Sequence, residues 1–286
     1  MLLREVEYAR PSTIEDALAI LGSNPNARAL AGGQTLINVM KARAAAPDVL
    51  VDLNGLDELR TIGIGADGSL ELGAMATYAA IMQSPEVHST RPVIAEVAGM
   101  IADVQVRNRG TIGGNVCTGD PTNHFPPLMV ALGAAMTVRG QDGERRVPAE
   151  EFFVGVYMTQ AGPGELLTRI SVPAPDGRGD GFAIVPIGRD GTAIVHAAAC
   201  VRANGTIQEA RVALGCVDAV PIRVTELESR LAGGDPAESA VKEAAKGVGA
   251  SLDPPSDVHA SGDYRRHLAE VVAARAVVEA AGKARR

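Results

Sequence analysis

Two glycine-rich segments, about 80 residues apart, constrain the fold of this 286-residue chain more than any other feature. The first is Ala31-Gly32-Gly33-Gln34-Thr35, which lies between a short apolar stretch and a helical pattern. Glycine permits positive φ and a close approach of the backbone to a ligand, and Thr35 can cap the helix that follows. Unpaired N–H groups and the positive end of the helix dipole then point at one spot. The segment therefore predicts an anion site, and the alternative is a tight turn that binds nothing.

The second segment, Gly110-Thr111-Ile112-Gly113-Gly114-Asn115, has three glycines within five positions. Two backbone nests on separate loops suit a diphosphate. Neither segment contains a lysine, so neither is a P-loop, and neither has the GxGxxG spacing of the Rossmann fingerprint. The pair predicts a dinucleotide fold of another kind, which holds the diphosphate mainly through neutral N–H donors.

Composition limits what the side chains can do. Lys plus Arg number 27 against 34 Asp plus Glu, which gives a net charge of -7, and there is no Trp. With a pI of about 5.3 and few aromatic residues, the chain is not expected to bind nucleic acid. Cys117, Cys200 and Cys216 form no CxxC pair, and the five histidines have no metal-ligand spacing, so we predict no metal site. We also expect no catalytic residues, and the chemistry must come from a bound cofactor.

The N-terminal residues and the apolar stretches indicate where in the cell the chain is expected. The N-terminal residues lack a basic region followed by an apolar run, and no apolar stretch approaches the roughly 18 residues of a membrane span. We therefore expect a cytoplasmic chain with no membrane span.

Local patterns predict mixed helices and strands. Ser12 lies three residues before Glu15, as in a capping box, and predicts a helix that ends near Gly22. A strand is expected at 49–53, and a helical middle at 77–100 is interrupted at Pro85 and Pro92.

The second half of the chain alternates hairpins and helices. A hairpin at 135–147 and a strand at 165–172 precede a linker at 173–181, which holds two prolines and three glycines. Asn204-Gly205 predicts a second hairpin between 193–201 and 206–217. The last helix is expected at about 263–281.

The two segments, taken with Gln105 to Arg109 before the second and Asp120-Pro121 after it, resemble the FAD-binding medium subunits of molybdenum hydroxylases. This is the family of xanthine dehydrogenase and aerobic carbon monoxide dehydrogenase. Ala210 to Gly215 and Gly262 to Leu268 resemble the C-terminal domain of the same family. The resemblance covers practically the whole chain.

The resemblance implies an α+β chain. Its first part would be a two-subdomain FAD-binding fold of the PCMH/VAO type, with subdomains at 1–58 and 59–175. An α+β C-terminal domain of the CO dehydrogenase flavoprotein type would occupy 176–286.

The resemblance also implies cofactors and partners. This chain would carry FAD, while a small subunit carries [2Fe-2S] clusters and a large subunit carries the molybdopterin cofactor, in a dimer of heterotrimers. Electrons would pass from the clusters to FAD and on to an external acceptor. A free-standing FAD-dependent oxidase or reductase and a flavin-free interaction module are the alternatives. The substrate stays open among carbon monoxide, aldehydes, N-heterocycles and purines, and so does the acceptor.

The same resemblance assigns the FAD contacts. Residues around the first segment would wrap the pyrophosphate: Ala29, Leu30, Ala31, Gly32, Gly33, Gln34, Thr35 and Leu36. Residues of the second would hold the phosphate and ribityl side: Thr111, Ile112, Gly113, Gly114 and Asn115. Ala102 would line the pocket, Asp120 would lie beside the second segment, and Leu167 would touch the adenine or ring region through its backbone.

Two positions depart from the family pattern, and one of them is the replacement of a family Lys near Pro186 in the strand after the linker. His124 stands where the family usually has Asp. We expect it to hydrogen-bond the ribityl chain or phosphate edge of FAD, where a protonated ring could raise the flavin potential. The alternative is a surface or packing histidine. Of Arg107 and Arg109, which flank the second segment, at least one is expected to point away from FAD.

Overall fold

A computed structural model of the chain describes residues 3–188 and 191–284. The chain begins with a parallel sheet in the strand order β1-β3-β2. Its elements are β1 (Glu7–Ala9), α1 (Ile14–Ser23), β2 (Arg28–Leu30), α2 (Leu36–Lys41) and β3 (Val49–Asp52). The central strand β3 is buried along its whole length, so this sheet forms a core of its own. We call residues 3–60 the first subdomain.

Helix α1 begins one residue later than the capping-box spacing predicts. Thr13, not Ser12, is the N-cap, and its Oγ1 accepts a hydrogen bond from Asp16 N at 3.1 Å. A start at Ile14 places Ile14, Ala17 and Leu21 on one buried face. The cap hydrogen bond therefore identifies Thr13 as the first residue of the helix boundary, and the helix buries its apolar face against the sheet core.

Residues 61–172, which we call the second subdomain, form an antiparallel sheet covered by helices. The sheet has the order β4-β5-β10-β6-β7, with a ribbon β8-β9 apart from it. The strands are β4 (Ile62–Ile64), β5 (Leu70–Gly73), β6 (Ala135–Gly140), β7 (Gly143–Pro148), β8 (Phe153–Gly155), β9 (Met158–Thr159) and β10 (Leu166–Val172). The helices are α3 (Tyr78–Gln83), α4 (Pro85–Thr90), α5 (Pro92–Met100), α6 (Val104–Arg109), α7 (Ile112–Thr118), α8 (Phe125–Leu132) and α9 (Ala149–Phe152).

The proline breaks and the first hairpin are confirmed. Pro85 and Pro92 are the first residues of α4 and α5, where a missing N–H costs nothing. The second glycine segment, by contrast, is not a loop. From Ile112 onward it is helix α7, and Thr111 caps that helix through its Oγ1, which accepts from Gly114 N at 3.1 Å.

The remaining residues, 179–284, form the C-terminal domain. Its antiparallel sheet has the order β11-β12-β13-β14, and its long last helix packs on β11 and β12. The elements are β11 (Gly179–Ile187), β12 (Thr192–Asn204), β13 (Thr206–Gly215), β14 (Ile222–Arg223), α10 (Thr225–Leu231), α11 (Glu238–Ala245) and α12 (Gly262–Lys283). The hairpin at Asn204-Gly205 is confirmed, and the linker is observed at 173–178. Within the described ranges, no helix has the length and apolar character needed to cross a bilayer.

A buried arginine joins the linker to both of its neighbours. Arg91, just before α5, is 1% exposed, and its Nη1 lies 2.6 Å from Asp180 Oδ1 on β11. Its Nε and Nη2 donate to the carbonyl of Pro173, and Nη2 also donates to that of Ala174. One guanidinium therefore fixes helix, linker and strand together, which sets the position of the C-terminal domain.

We predict that Arg91→Leu lowers the free energy of unfolding by about 3–5 kcal/mol, because it leaves the buried Asp180 carboxylate without its cation. The urea midpoint of the purified chain measures this loss. The matched control is Arg202→Leu, which removes the exposed ion pair with Asp176 and should cost far less stability, because solvent screens that pair. Equal losses in the two variants would contradict the assigned role of Arg91.

Candidate functional site

The two glycine segments, distant in sequence, touch each other. A Cβ added to Gly32 would lie 2.1 Å from the carbonyl oxygen of Arg109, so only glycine fits at this crossing. A Cβ on Gly114 would lie 3.8 Å from that of Ala31. The two glycine segments that were expected to form one site are therefore adjacent in space.

The C=O and N–H groups of the first segment differ in their hydrogen bonding. Each carbonyl oxygen from Ala31 to Thr35 accepts a hydrogen bond, from Asn54 Nδ2, Gln34 Nε2, Ile37 N, Asn38 Nδ2 and Val39 N respectively. The N–H groups from Gly32 to Leu36 donate none to any residue that the structure describes. We call this row of free N–H groups, 32–36, the amide cradle. Such a row suits an anion with several acceptor oxygens.

One local expectation about this segment is wrong. Thr35 does not cap α2 with its side chain, since its backbone is already helix-like (φ -99, ψ -55) and it makes no cap hydrogen bond. Gly33 does have the positive φ that the glycine predicted, at 72°. The turn is thus made by glycine geometry and leaves the N–H groups of residues 32–36 without a partner among the described residues.

The second segment contributes differently from the predicted nest. The N–H groups of Ile112, Gly113, Gly114 and Asn115 are already bonded, to Ala76 O, Ala74 O, Thr111 Oγ1 and Thr111 O respectively. Gly113 serves close packing, because a Cβ there would lie 2.5 Å from the carbonyl oxygen of Ala74. The second segment is therefore a wall beside the cradle and not a second set of free amides.

The wall offers one unused acceptor. Asn115 is buried and its Nδ2 donates to Tyr78 Oη at 3.0 Å, while its Oδ1 has no partner among the described residues. Burial raises the pKa of Tyr78 to about 12, so the phenol keeps its proton. An orphaned buried acceptor costs about 1–3 kcal/mol, which a hydroxyl-bearing ligand would relieve. A diphosphate for the cradle and hydroxyls for Asn115 are both features of FAD, so the residues present fit that cofactor.

Ala102 lies in a strained turn. Its φ of 43° is unusual for a residue with a Cβ, and the turn joins α5 to α6. Arg107 Nη1 donates to the carbonyls of Ile101 and Ala102, at 2.9 and 2.8 Å. Arg107 thus holds this turn in place, a role that sequence reasoning missed, while Arg109 is exposed as expected of one of the two.

Asp120 and Leu167 are the other two residues that the family resemblance assigned to the FAD pocket. Asp120 Oδ1 accepts from Thr122 N and Oγ1, both at 2.8 Å, and the charge of this carboxylate raises the pKa of Tyr157. Leu167 is buried in β10 beside a bulge. Its neighbour Thr168 is connected to the wall, since Ala74 N donates to Thr168 O and Ala74 O accepts from Gly113 N.

His124 is buried at the seam with the C-terminal domain. It is 5% exposed, and its ring centroid lies 5.6 Å from that of His196 and 5.9 Å from that of Phe182. Among the described atoms, His124 Nε2 and both ring nitrogens of His196 have no hydrogen-bond partner. The surface alternative for His124 is excluded by this burial. Sequence reasoning treated His196 as structural and gave no signal of the pair, because the two rings are distant in sequence.

Burial governs the charge of both rings. It lowers the pKa of His124, and it lowers that of His196 well below 6.5 with a further contribution from the charge of His124. Both rings are therefore neutral at pH 7. The protonated His124 on which a raised flavin potential would depend is disfavoured here.

In the described ranges, no group of His, Cys, Asp and Glu side chains could hold a metal ion. The cysteines are free, and Cys200 and Cys216 are buried. Burial raises the pKa of Cys200 to about 11 and that of Cys216 to about 12, so neither thiol is a nucleophile at neutral pH.

Comparison with known proteins agrees with this geometry. Residues 4–175 match the family model described as "FAD binding domain in molybdopterin dehydrogenase", and residues 181–280 match that of the "CO dehydrogenase flavoprotein C-terminal domain". The chain therefore belongs to the family of FAD-binding medium subunits of molybdenum hydroxylases, which are oxidoreductases. The predicted α+β fold and FAD as the cofactor of this family are confirmed.

Individual relatives differ in what they act on. The chain is 38% identical to the carbon monoxide dehydrogenase medium chain of Afipia carboxidovorans, with 100% of each chain covered. It is 34% identical to the glyceraldehyde dehydrogenase medium chain of Sulfolobus acidocaldarius, with 97% of this chain and 99% of the relative covered. A chain in the structure of carbon monoxide dehydrogenase from Hydrogenophaga pseudoflava superposes with a TM-score of 0.95 at 36% identity, covering 99% and 100%.

The buried histidines predict that stability falls with acid. Both pKa values are lowered by folding, so below about pH 6.5 the unfolded chain binds protons that the folded chain does not. Their stabilising contribution is present above that pH and is lost as the pH falls towards the folded pKa values. Thermal unfolding midpoints should therefore rise from pH 5 to about 6.5 and level off between there and pH 8, and His196→Leu should flatten the rise. His267→Leu, an exposed control on α12, should leave it unchanged; a flat wild-type profile would contradict the prediction.

Proposed function

We propose that this chain is the FAD-carrying electron outlet of a heterotrimeric molybdenum hydroxylase or dehydrogenase. It would take electrons from [2Fe-2S] clusters of a small subunit and pass them to an external acceptor. The amide cradle carries the proposal, because its free N–H groups are what a cofactor diphosphate requires. Bound FAD would supply the redox chemistry, and this chain would supply binding and orientation.

The cradle would hold the pyrophosphate without a cation. The N–H groups from Gly32 to Leu36 would donate to phosphate oxygens, and hydrogen bonds to charged groups contribute about 1.5–3 kcal/mol each. Ala29, Leu30 and Ala31 would lead the backbone into this contact. The absence of lysine in the segment is consistent with neutral donors.

The wall would hold the ribityl side. Asn115 Oδ1 would accept from a ribityl hydroxyl, while Thr111, Ile112, Gly113 and Gly114 would line that side of the cofactor. A second group of residues, assigned by resemblance to the family, would complete the pocket: Ala102, Asp120 and Leu167. The side-chain oxygens of Asp120 are engaged by Thr122 and Tyr157, so its contribution would be to shape the turn beside the wall.

His124 would contribute Nε2, the ring nitrogen that has no hydrogen-bond partner among the described atoms. As a neutral ring it would hydrogen-bond the ribityl chain or phosphate edge. His124→Asp would place a carboxylate there, and a negative charge disfavours electron uptake. We predict a lower flavin midpoint potential for His124→Asp than for wild type across pH 6 to 8, measured by spectroelectrochemical titration. Superimposable curves would contradict a contact between His124 and FAD.

The partners follow from the family. Its members named above are medium chains of multi-subunit enzymes, and we propose a small iron–sulfur subunit and a large molybdenum subunit in a dimer of heterotrimers, located in the cytoplasm. The relatives act on carbon monoxide and glyceraldehyde, so this chain does not by itself identify the substrate. The substrate would be selected on the large subunit.

Purification of the native protein tests the proposal. We expect the visible absorption of bound FAD, together with iron, molybdenum and two further chains identified by mass spectrometry. FAD without iron, molybdenum or partner chains would instead support a free-standing oxidase or reductase. A colourless protein would support a flavin-free interaction module.

Substitution of Gly32 by alanine, which adds one methyl group, tests the amide cradle. Gly32→Ala should weaken FAD binding at least about tenfold, which corresponds to about 1.4 kcal/mol, because its Cβ would force the first segment away from Arg109. FAD titration of the purified protein after removal of the cofactor measures the change. Gly63→Ala is the control, since a Cβ at Gly63 on β4 meets no atom within 4 Å. Equal FAD affinity in the two variants would contradict the cradle.

A further inference from the structure

We infer that Asn54 is a positioning residue that aims the N–H of Gly32 into the amide cradle, and that Asp52 and Tyr8 hold it there. The inference rests on the proposed function, because it treats the cradle as the site of the FAD diphosphate. Neither the sequence motifs nor the family resemblance pointed to these residues.

The peptide plane between Ala31 and Gly32 determines where the Gly32 N–H points. In a trans peptide the C=O of one residue and the N–H of the next point in opposite directions. Asn54 Nδ2 donates to the carbonyl oxygen of Ala31 at 3.1 Å. This bond fixes the plane between Ala31 and Gly32, and so turns the Gly32 N–H away from Asn54 and towards the cradle side. Gly32 needs such a constraint because glycine has the widest backbone freedom.

The orientation of the Asn54 side chain is itself determined. Its Nδ2 also donates to Asp52 Oδ1 at 2.6 Å, and its Oδ1 accepts from Arg60 Nη2 at 3.0 Å. Both amide hydrogens and the amide oxygen therefore have partners, and a flipped amide would face Asp52 and Ala31 with an oxygen. The side chain has one satisfied orientation.

Asp52 anchors this amide to the sheet. It is the last residue of the central strand β3, is 7% exposed, and its Oδ1 also accepts from Asn54 N at 2.9 Å. Its Oδ2 accepts from Tyr8 Oη on the neighbouring strand β1 at 2.5 Å. A chain of hydrogen bonds thus runs from β1 through β3 to the first glycine segment, which follows β2.

The hydrogen bond from Asn54 also makes the Gly32 N–H a stronger donor. A hydrogen bond to the carbonyl of a peptide polarises that peptide and strengthens its N–H, by roughly 10–30% per bond. The Gly32 N–H is the one that benefits from Asn54. Gln34 acts in the same way on the next plane, since its Nε2 donates to Gly32 O at 3.3 Å.

Substitution of Asn54 at constant size tests the inference. Asn54→Asp replaces the donor with an oxygen and should weaken FAD binding about 10- to 100-fold, the loss of one hydrogen bond to a charged group. Tyr8→Phe, at an exposed side chain that tolerates the change, should weaken it about threefold. The purified complex, stripped of FAD, would be titrated with FAD, ADP and riboflavin.

The matched control is Asn26→Ala. Asn26 Nδ2 also donates to a backbone carbonyl of the first subdomain, that of Ala46 at 3.1 Å, but the bond leads away from the cradle. FAD affinity should not change in this variant. Thermal unfolding of each cofactor-free variant separates a loss of binding from a loss of fold.

The three ligands distinguish positioning from general damage. FAD and ADP carry the diphosphate and should both bind Asn54→Asp more weakly, while riboflavin, which lacks it, should bind as to wild type. An equal loss for riboflavin, or wild-type FAD affinity in both Asn54→Asp and Tyr8→Phe, would overturn the inference. If Asn54→Asp does not fold, Tyr8→Phe against Asn26→Ala decides. A wild-type protein that binds no FAD would overturn the proposed function instead.

Discussion

The opposite directions of C=O and N–H in each trans peptide are the constraint on which the site depends. Because side chains and helix α2 engage every carbonyl from Ala31 to Thr35, the amides that follow must face the other way. The first subdomain supplies these bonds, and the second supplies the wall that closes against Gly32. The site is therefore a property of two packed subdomains and not of a motif alone.

The same dependence on packing extends to the C-terminal domain. Arg91 fixes the linker that leads into it, and strands β12 and β13 of the domain pack against α8. His196 then lies beside His124, immediately before α8. The C-terminal domain contains neither of the two glycine segments described above, yet its His196 borders the region next to the wall.

Sequence reasoning succeeded where the signal was local. Pro85, Pro92 and Asn204-Gly205 placed breaks and a turn correctly, because fixed φ and positive φ act on their own residues. It failed where distant packing decides. The second segment looked like a free loop, but from Ile112 onward it is helix α7, and Gly113 in that helix packs closely against Ala74. The meeting of His124 with His196 likewise depends on residues that no local pattern reveals.

A cradle of uncharged amides has a consequence for the environment in which it works. Salt weakens the attraction between exposed charges because ions screen it, with a Debye length of about 8 Å at physiological ionic strength. Hydrogen bonds from backbone N–H groups of residues 32–36 present no cation for such screening. Cofactor binding through these bonds should therefore depend little on the salt concentration.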